Sequence, residues 1–320
     1  MAEVFKTTVA HLIEPRRIAL VEDSFILGPR EVAVKIGACG ICAWESHFYT
    51  GDLATPLPRP IGHEGAGTVV AVGPEVTAWM PGDRVAGLFG PAFATYAKSP
   101  DTMLVRVPEN VPFDQAVIEP VKCIVTVLRA AHPQFGDHLL VVGAGFMGLM
   151  AIAGLRGADA ASLIAVDLID ERLELAREFG ATHLLNPRRD DVPARIREIT
   201  GGHGIDVALE ATAHPNGLAL ASEVLRVGRP TLVIVSASLG PATYDLTAWQ
   251  PTGAIVICAH PGYCLDPQDE LRRAMDGVAR GVFPMDRLVT NRFGLDEIAK
   301  GIEAGLARAP GYIKGVVIPG

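Results

Sequence analysis

Cationic residues are in short supply: 28 Lys and Arg stand against 36 Asp and Glu, giving a net charge of −8 and an isoelectric point near 5.6. Clustered cations bind a phosphate backbone by displacing its counterions, and the chain shows no basic patch, so a nucleic-acid partner is not expected. Cysteine is sparse too. Cys39, Cys42, Cys123, Cys258 and Cys264 form an odd set without the dense spacing of a secreted scaffold, which points to reduced thiols and a cytoplasmic protein. Residues 1–8 hold no apolar core ahead of a cleavage site, so no signal peptide is read there. Residues 139–155 are uncharged and largely apolar, but four glycines at fixed offsets break them, and no membrane span is assigned. Internal repeats, low-complexity linkers and charge blocks are missing as well.

What remains is a globular composition. With 49% hydrophobic and 20% charged positions in 320 residues, the chain is long enough for two domains with their own cores. Its texture changes near residue 120. Upstream, Val32, Val34 and Ile36 keep period two, and short runs at 68–72 and 84–86 follow between Gly and Pro punctuation; these read as strands joined by turns. Downstream, apolar strands at 139–142, 163–166, 207–209, 231–235 and 254–257 alternate with amphipathic segments. A helix is expected over 148–157, and another over 170–179 with Leu173, Ala176 and Phe179 on one stripe. That alternation is the pattern of a doubly wound parallel sheet. A helix at 295–306 and a strand at 313–318 close the chain.

Gly143-Ala144-Gly145-Phe146-Met147-Gly148 follows the first of these strands and opens a helix. Glycines there let the backbone turn sharply and approach a pyrophosphate, and a helix N-terminus offers N–H groups to the anion. Asp167 lies nineteen residues past Gly148, at the end of the next strand. A carboxylate there accepts hydrogen bonds from a ribose diol and repels a 2′-phosphate, so NAD(H) is preferred over NADP(H). Arg172 works against that preference. The simpler alternative is a tight turn, with Asp167 capping the following helix.

Cys42 and the pair His63-Glu64 are separated by twenty residues that hold no other thiol and one other imidazole, His47. Thiolate, imidazole and carboxylate are the donors of a tetrahedral zinc with one open position. Cys39-Gly40-Ile41-Cys42 alone also fits a redox pair; a zinc ribbon is excluded because no second CxxC exists. A lone His63 would read as a structural histidine, but a thiol and a carboxylate at matching positions favour a metal site.

Gly40-Ile41-Cys42, His47, Gly62-His63-Glu64, Gly73-Pro74-Glu75-Val76 and Pro81-Gly82-Asp83-Arg84-Val85, followed by the dinucleotide fingerprint, resemble the medium-chain zinc-dependent alcohol and polyol dehydrogenases over essentially the whole chain. The resemblance implies an α/β protein: a GroES-like, β-rich catalytic domain at 1–120 and 259–320, a Rossmann domain with a doubly wound parallel sheet at 121–258, and an active site in the cleft. It implies Cys42 and His63 as zinc ligands, Glu64 as the acid that binds or backs the metal, and Glu119, in Ile118-Glu119-Pro120, as a further ligand or substrate contact. Glu45 stands where an aspartate orients a ligand. Lys314 stands where a basic residue meets the cofactor pyrophosphate, its alternative being a solvated edge-strand lysine. Cys123, four residues past Glu119, is read as a buried filler.

Two departures from the family pattern stand out. No cysteine lies between Val85 and Val121, where relatives carry four that hold a structural zinc, so one catalytic zinc per subunit is expected and no structural one. Trp44 occupies the place of a Ser or Thr whose hydroxyl relays the substrate proton, and an indole N–H donates but accepts nothing. His47 is the expected replacement, because imidazole exchanges protons near neutral pH; a surface histidine is its alternative. The family chemistry pairs a Lewis-acid zinc with hydride transfer to or from nicotinamide. The Glu-Pro setting of Glu119 suggests a secondary alcohol or ketone of a polyol, sugar or cyclitol, with Trp44 as a flat wall. A reductase of conjugated or iminium double bonds is the main competitor, and a redox sensor built on Cys39 and Cys42 a more distant one. A homodimer or homotetramer joined near residues 254–258, with no membrane partner, is implied.

Overall fold

The computed structural model describes residues 3–236, 246–259 and 261–320. The chain divides into two compact units, Met1–Lys122 with Asp266–Gly320, and Cys123–Leu265. Among the described residues no helix is long and apolar enough to cross a membrane.

The first unit is β-rich. The strand Glu31–Gly40 is central to a seven-stranded sheet, pairing antiparallel with Glu64–Val72, with Tyr96–Pro100 and with Lys314–Ile318. Val32, Val34 and Ile36 are each at most 1% exposed and Lys35 is exposed, while Ala33 is buried too, beside a bulge at Ala33/Val34. The sheet continues through Arg84–Leu88 to Leu104–Arg106 on one side and to Val289–Gly294 on the other. A smaller sheet places Phe5–Glu14 between Arg17–Phe25 and Arg59–Pro60. Leu12, Ile36, Phe93, Leu104 and Ile302 lie in the core that these elements enclose.

The second unit holds six strands in the order His183–Leu185, Ser162–Val166, His138–Val142, Val207–Glu210, Thr231–Ile234, Ile255–Cys258, with parallel pairing throughout. In chain order this is 3-2-1-4-5-6, the doubly wound arrangement. Leu139 to Val142 are buried on both faces, which is why they read as an unbroken apolar run rather than an alternating one. Residues 139–155 resolve into the strand His138–Val142, the glycine turn and the helix Phe146–Leu155. In the helix Asp170–Glu178, Leu173 and Ala176 are buried and Phe179 follows as the C-cap.

The closing helix is shorter than its periodicity suggests. Leu295–Glu297 winds as a 3₁₀ turn and the α-helix spans Ile298–Leu306. Glu297 Oε2 accepts from the Gly294 N–H at 3.1 Å, and tightening of this kind is common at helix entrances.

Candidate active site

Cys42, His63 and Glu64 come together in the first unit. One donor atom from each, Sγ, a ring nitrogen and a carboxylate oxygen, lies within 4.8 Å of the others. Two neighbouring strands deliver them. Glu31–Gly40 ends just before Cys42, the extended N-cap (φ −92°, ψ 151°) of the helix Ala43–Thr50, while Glu64 opens Glu64–Val72 and pairs directly with Gly40. Any side chain at that pairing would displace the carboxylate, since a Cβ on residue 40 would sit 1.9 Å from Glu64 Oε2. Gly62, before His63, has φ +94°, and a Cβ there would meet Phe93 N at 2.4 Å. These two glycines let the carboxylate and the imidazole enter the same small volume.

Glu45 fixes the imidazole. Its Oε1 lies 2.9 Å from His63 Nδ1 and accepts from the Gly62 N–H at 3.1 Å. Glu45 is 6% exposed, and its Oε1 already takes the Gly62 N–H as an acceptor, so Nδ1 is the ring nitrogen that donates to it and Nε2 is the one left for a metal, once any proton there is displaced. Nε2 faces Glu119, whose Oε2 is 4.0 Å away. Glu119 begins the helix Glu119–Ala131.

The electrostatics of the donor cluster suit a dication. Burial and the Glu64 charge push the Cys42 thiol up, against the His63 hydrogen bond that lowers it. Burial opposes the charge on His63, but hydrogen bonds and charges of Cys42 and Glu45 push it up to about 12. Glu119 is raised by burial and by Glu64, against the pull of His63, Lys122 and Lys314. Acidic donors crowded into a low-dielectric pocket hold protons that a metal would replace. Glu64 Oε1 is buried without a hydrogen-bond partner among the described residues, the kind of orphaned acceptor that a metal satisfies. The donor set therefore fits zinc, with Cys42, His63 and Glu64 as the residues to hold it and Glu119 beside them.

Lys314 corrects the sequence reading in part. It is 5% exposed, on a strand flanked by two others, so it is not an edge-strand lysine in solvent. Its Nζ lies 2.6 Å from Glu64 Oε2 and donates to Ile41 O at 2.8 Å, and this ammonium belongs to the donor cluster. Burial lowers the affinity of Lys314 for its proton, yet the Glu64 and Cys42 charges outweigh it and raise its pKa. Cys123 is half-buried rather than buried. Cys39 is fully buried, its thiol raised well above the ordinary range first by burial.

Trp44 is half-buried in the first turn of Ala43–Thr50, its ring edge-on to His47 with centroids 6.5 Å apart and tilted against Phe48 at the same distance. His47 Nδ1 is buried without a hydrogen-bond partner among the described residues and stands 3.8 Å from Asp52 Oδ2.

In the second unit the fingerprint has the geometry a pyrophosphate needs. Gly143 turns the chain at φ +98°, and a Cβ on Gly148 would lie 1.8 Å from Gly143 O, so helix and turn pack in contact. Gly145, the N-cap of Phe146–Leu155, has no side chain to cap the helix, and the nearest atom to a Cβ there is Arg172 Nη1 at 4.0 Å. That open space at a helix N-terminus fits a dinucleotide phosphate. Phe146 and Met147 form its first turn. Asp167 accepts from Ala144 N at 2.7 Å through Oδ2 and from Ile169 N at 2.9 Å through Oδ1. It ties the fingerprint turn to the entrance of the next helix.

A dinucleotide-type sheet and a β-rich unit with a Cys-His-Glu cluster are the two parts of a zinc-type dehydrogenase. Comparison with known proteins agrees. Residues 147–272 match the zinc-binding dehydrogenase family and 28–109 the alcohol dehydrogenase GroES-like domain. (R,R)-butanediol dehydrogenase of Bacillus subtilis is 29% identical, the alignment covering 91% of this chain and 93% of that protein. Sorbitol dehydrogenase of the same organism is 28% identical, with 90% of each chain covered. The crystal structure of 2R,3R-butanediol dehydrogenase from B. subtilis superposes with a TM-score of 0.87 at 26% identity, covering 98% of this chain and all of that one. The chain belongs to the medium-chain, zinc-type alcohol and polyol dehydrogenases, a family of oxidoreductases.

Proposed function

We propose that the protein is a zinc- and NAD(H)-dependent dehydrogenase acting between a secondary alcohol and its ketone, in a substrate of the polyol, sugar or cyclitol type. The observation that carries this is the imidazole of His63, held by Glu45 at 2.9 Å so that Nε2 faces the volume shared with Cys42 and Glu64. A bound zinc would supply Lewis acidity to the substrate oxygen, and a nicotinamide would supply or accept the hydride. The chain's residues do the rest. Glu45 keeps the imidazole in the ligating tautomer, and Glu119, partly exposed beside the cluster, is placed to contact a hydroxyl next to the reacting carbon.

His47 is the proton carrier in this reading: its Nδ1 has no hydrogen-bond partner among the described residues, whereas Trp44 offers only an indole N–H and a ring wall. The substrate class draws support from the relatives, whose names include butanediol, sorbitol and D-xylulose. NAD(H) over NADP(H) is supported by the carboxylate of Asp167, against the guanidinium of Arg172 beside Gly145. The absence of cysteines between residues 85 and 121 supports a single zinc per subunit. The edge strand Ile255–Cys258, with Ile255 40% exposed, supports pairing with a second copy, as a homodimer or within a homotetramer. A cytoplasmic location rests on the cysteine usage.

Metal analysis together with a polyol and cyclitol panel at alkaline pH, with NAD⁺ and NADP⁺, tests the reading. One zinc per chain and NAD⁺ reduction by a vicinal diol are expected; full activity in metal-free protein would end it. Trp44 favours one rival, a reductase of conjugated or iminium bonds, in which a hydroxyl relay is not needed. Oxidation of NAD(P)H by an enal, with no alcohol oxidised across the panel, would select that rival.

A further inference from the structure

Glu210 is a buried carboxylate that the chemistry above does not use. It ends the strand Val207–Glu210 and is 2% exposed. This strand pairs with His138–Val142 across the point where the strand order reverses, Glu210 lying opposite Val142, one residue before the fingerprint. Ligands of doubly wound sheets bind beyond the strand ends at that reversal.

Three donors converge on the carboxylate. Oε1 accepts from the Thr212 N–H at 2.6 Å and from the Thr212 hydroxyl, and Oε2 accepts from the Ser236 hydroxyl. The backbone reinforces the tie, since Glu210 O accepts from Val235 N at 2.9 Å and Ser236 N at 3.2 Å. One side chain thus joins the turns that follow two adjacent strands.

Thr212 passes this restraint to the fingerprint. Its Cγ2 would stand 2.8 Å from a Cβ on Gly143, and Ala211 N donates to Val142 O at 2.8 Å. On the other side Thr212 Oγ1 accepts from His214 N at 3.0 Å and would sit 2.2 Å from a Cβ on Gly217, in the helix Pro215–Glu223. Between them Ala213 adopts φ +57°, a conformation that disfavours a side chain and persists where surrounding contacts over-determine it. The turn is clamped rather than relaxed.

We infer that Glu210 is a positioning residue for the dinucleotide site: by holding Thr212 against Gly143 and tying it to Ser236, it sets the shape of the glycine turn that receives the cofactor. This rests on the dinucleotide reading of that turn. The Glu210 carboxylate bonds to Thr212 and Ser236 and acts on the fingerprint through Thr212.

Direct titration of the zinc-loaded full-length protein with NADH and with NADPH, followed by nucleotide fluorescence, tests the inference, with melting temperature and zinc content measured in parallel. Glu210→Met removes every acceptor while keeping the volume. It is expected to weaken nucleotide binding about tenfold or more, the scale of leaving buried donors unpaired, with zinc content unchanged. Glu210→Gln keeps all three bonds, because its amide oxygen accepts from Thr212 and its NH₂ donates to Ser236, and is expected to restore near wild-type affinity. Ser236→Ala cuts one tie to Glu210 and Thr212→Val cuts another, together with the bond from His214 N, and the two decide the matter if Glu210→Met does not fold; affinity weakened in both is expected. Wild-type affinity in folded Glu210→Met, or in both single-tie variants, would overturn the inference, as would a lowered melting temperature with unchanged affinity. No binding of either nucleotide by the wild-type protein would overturn the reading of the site as well, and so differs from wild-type binding that the variants match.

Discussion

Lys314 Nζ lies 2.6 Å from Glu64 Oε2, with the two side chains 6% and 1% exposed. In the interior such a pair returns little net stability, but removing one partner strands the other charge. Lys314→Met is therefore expected to destabilise the metal-free protein by about 3–5 kcal/mol, with much of the loss recovered on adding zinc, because a dication compensates Glu64 in the ammonium's place. Thermal melts with chelator and with zinc measure both quantities. Equal losses in the two states would mean that zinc does not reach Glu64.

Glu45 touches the donor cluster chiefly through His63, with Oε1 at 2.9 Å from Nδ1. In Glu45→Gln the amide either accepts from Nδ1 or, flipped, donates to it, and the second arrangement puts the imidazole proton on Nε2. Zinc affinity is expected to fall about 10–100-fold with little change in melting temperature of the metal-free protein. Competition against a chelator of known affinity gives the number.

The pH dependence has a definite sign. In the metal-free protein His63 is pushed up to about 12 and the Cys42 thiol is raised by burial and Glu64, so both groups hold protons at neutral pH. A folded-state pKa above the unfolded value contributes stability in full below the unfolded pKa, near 6.5 for His63, and loses it as pH rises toward about 12. Zinc needs the deprotonated forms and expels those protons, so its affinity rises over the same range. The gap between zinc-bound and zinc-free melting temperatures is expected to widen from pH 6 to pH 9, roughly. A constant gap would show that Cys42 and His63 do not exchange protons for metal.

How much of this was legible in the sequence follows from the physics of each element. The strands before and after the fingerprint were readable because a parallel sheet is buried on both faces, so Leu139 to Val142 and Leu163 to Val166 form unbroken apolar runs. Cys42, His63 and Glu64 were readable because few side chains can ligate zinc and these three arrive with fixed glycines around them. The partner of Lys314 was not readable: whether a strand is flanked or at an edge depends on pairing between residues far apart in the chain, here Val316 with Gly40 and Val289 with Lys314. Glu210 was hidden for a related reason. An acid at the end of a short apolar strand looks like the start of a loop until Thr212 and Ser236 are brought to it.

Gly40 offers the sharpest test of the site's geometry. Its place opposite Glu64 in the antiparallel pairing leaves no room for a side chain, since a Cβ would lie 1.9 Å from Glu64 Oε2, 3.0 Å from Cδ and 3.2 Å from Glu64 Cβ. The backbone of Glu31–Gly40 is fixed by strands on both sides, so the carboxylate, not the strand, has to move. Gly40→Ala is expected to turn Glu64 out of both its contact with Lys314 and its place among the donors. Zinc stoichiometry should then fall well below one per chain while the far-ultraviolet circular dichroism stays that of the wild type. Gly37→Ala, where a Cβ would meet the Phe113 side chain, 2.4 Å from Cδ2, is the control for crowding in the same strand, and it should keep its zinc. Full zinc occupancy in Gly40→Ala would show that Glu64 is dispensable to the metal and would shift the third ligand to Glu119.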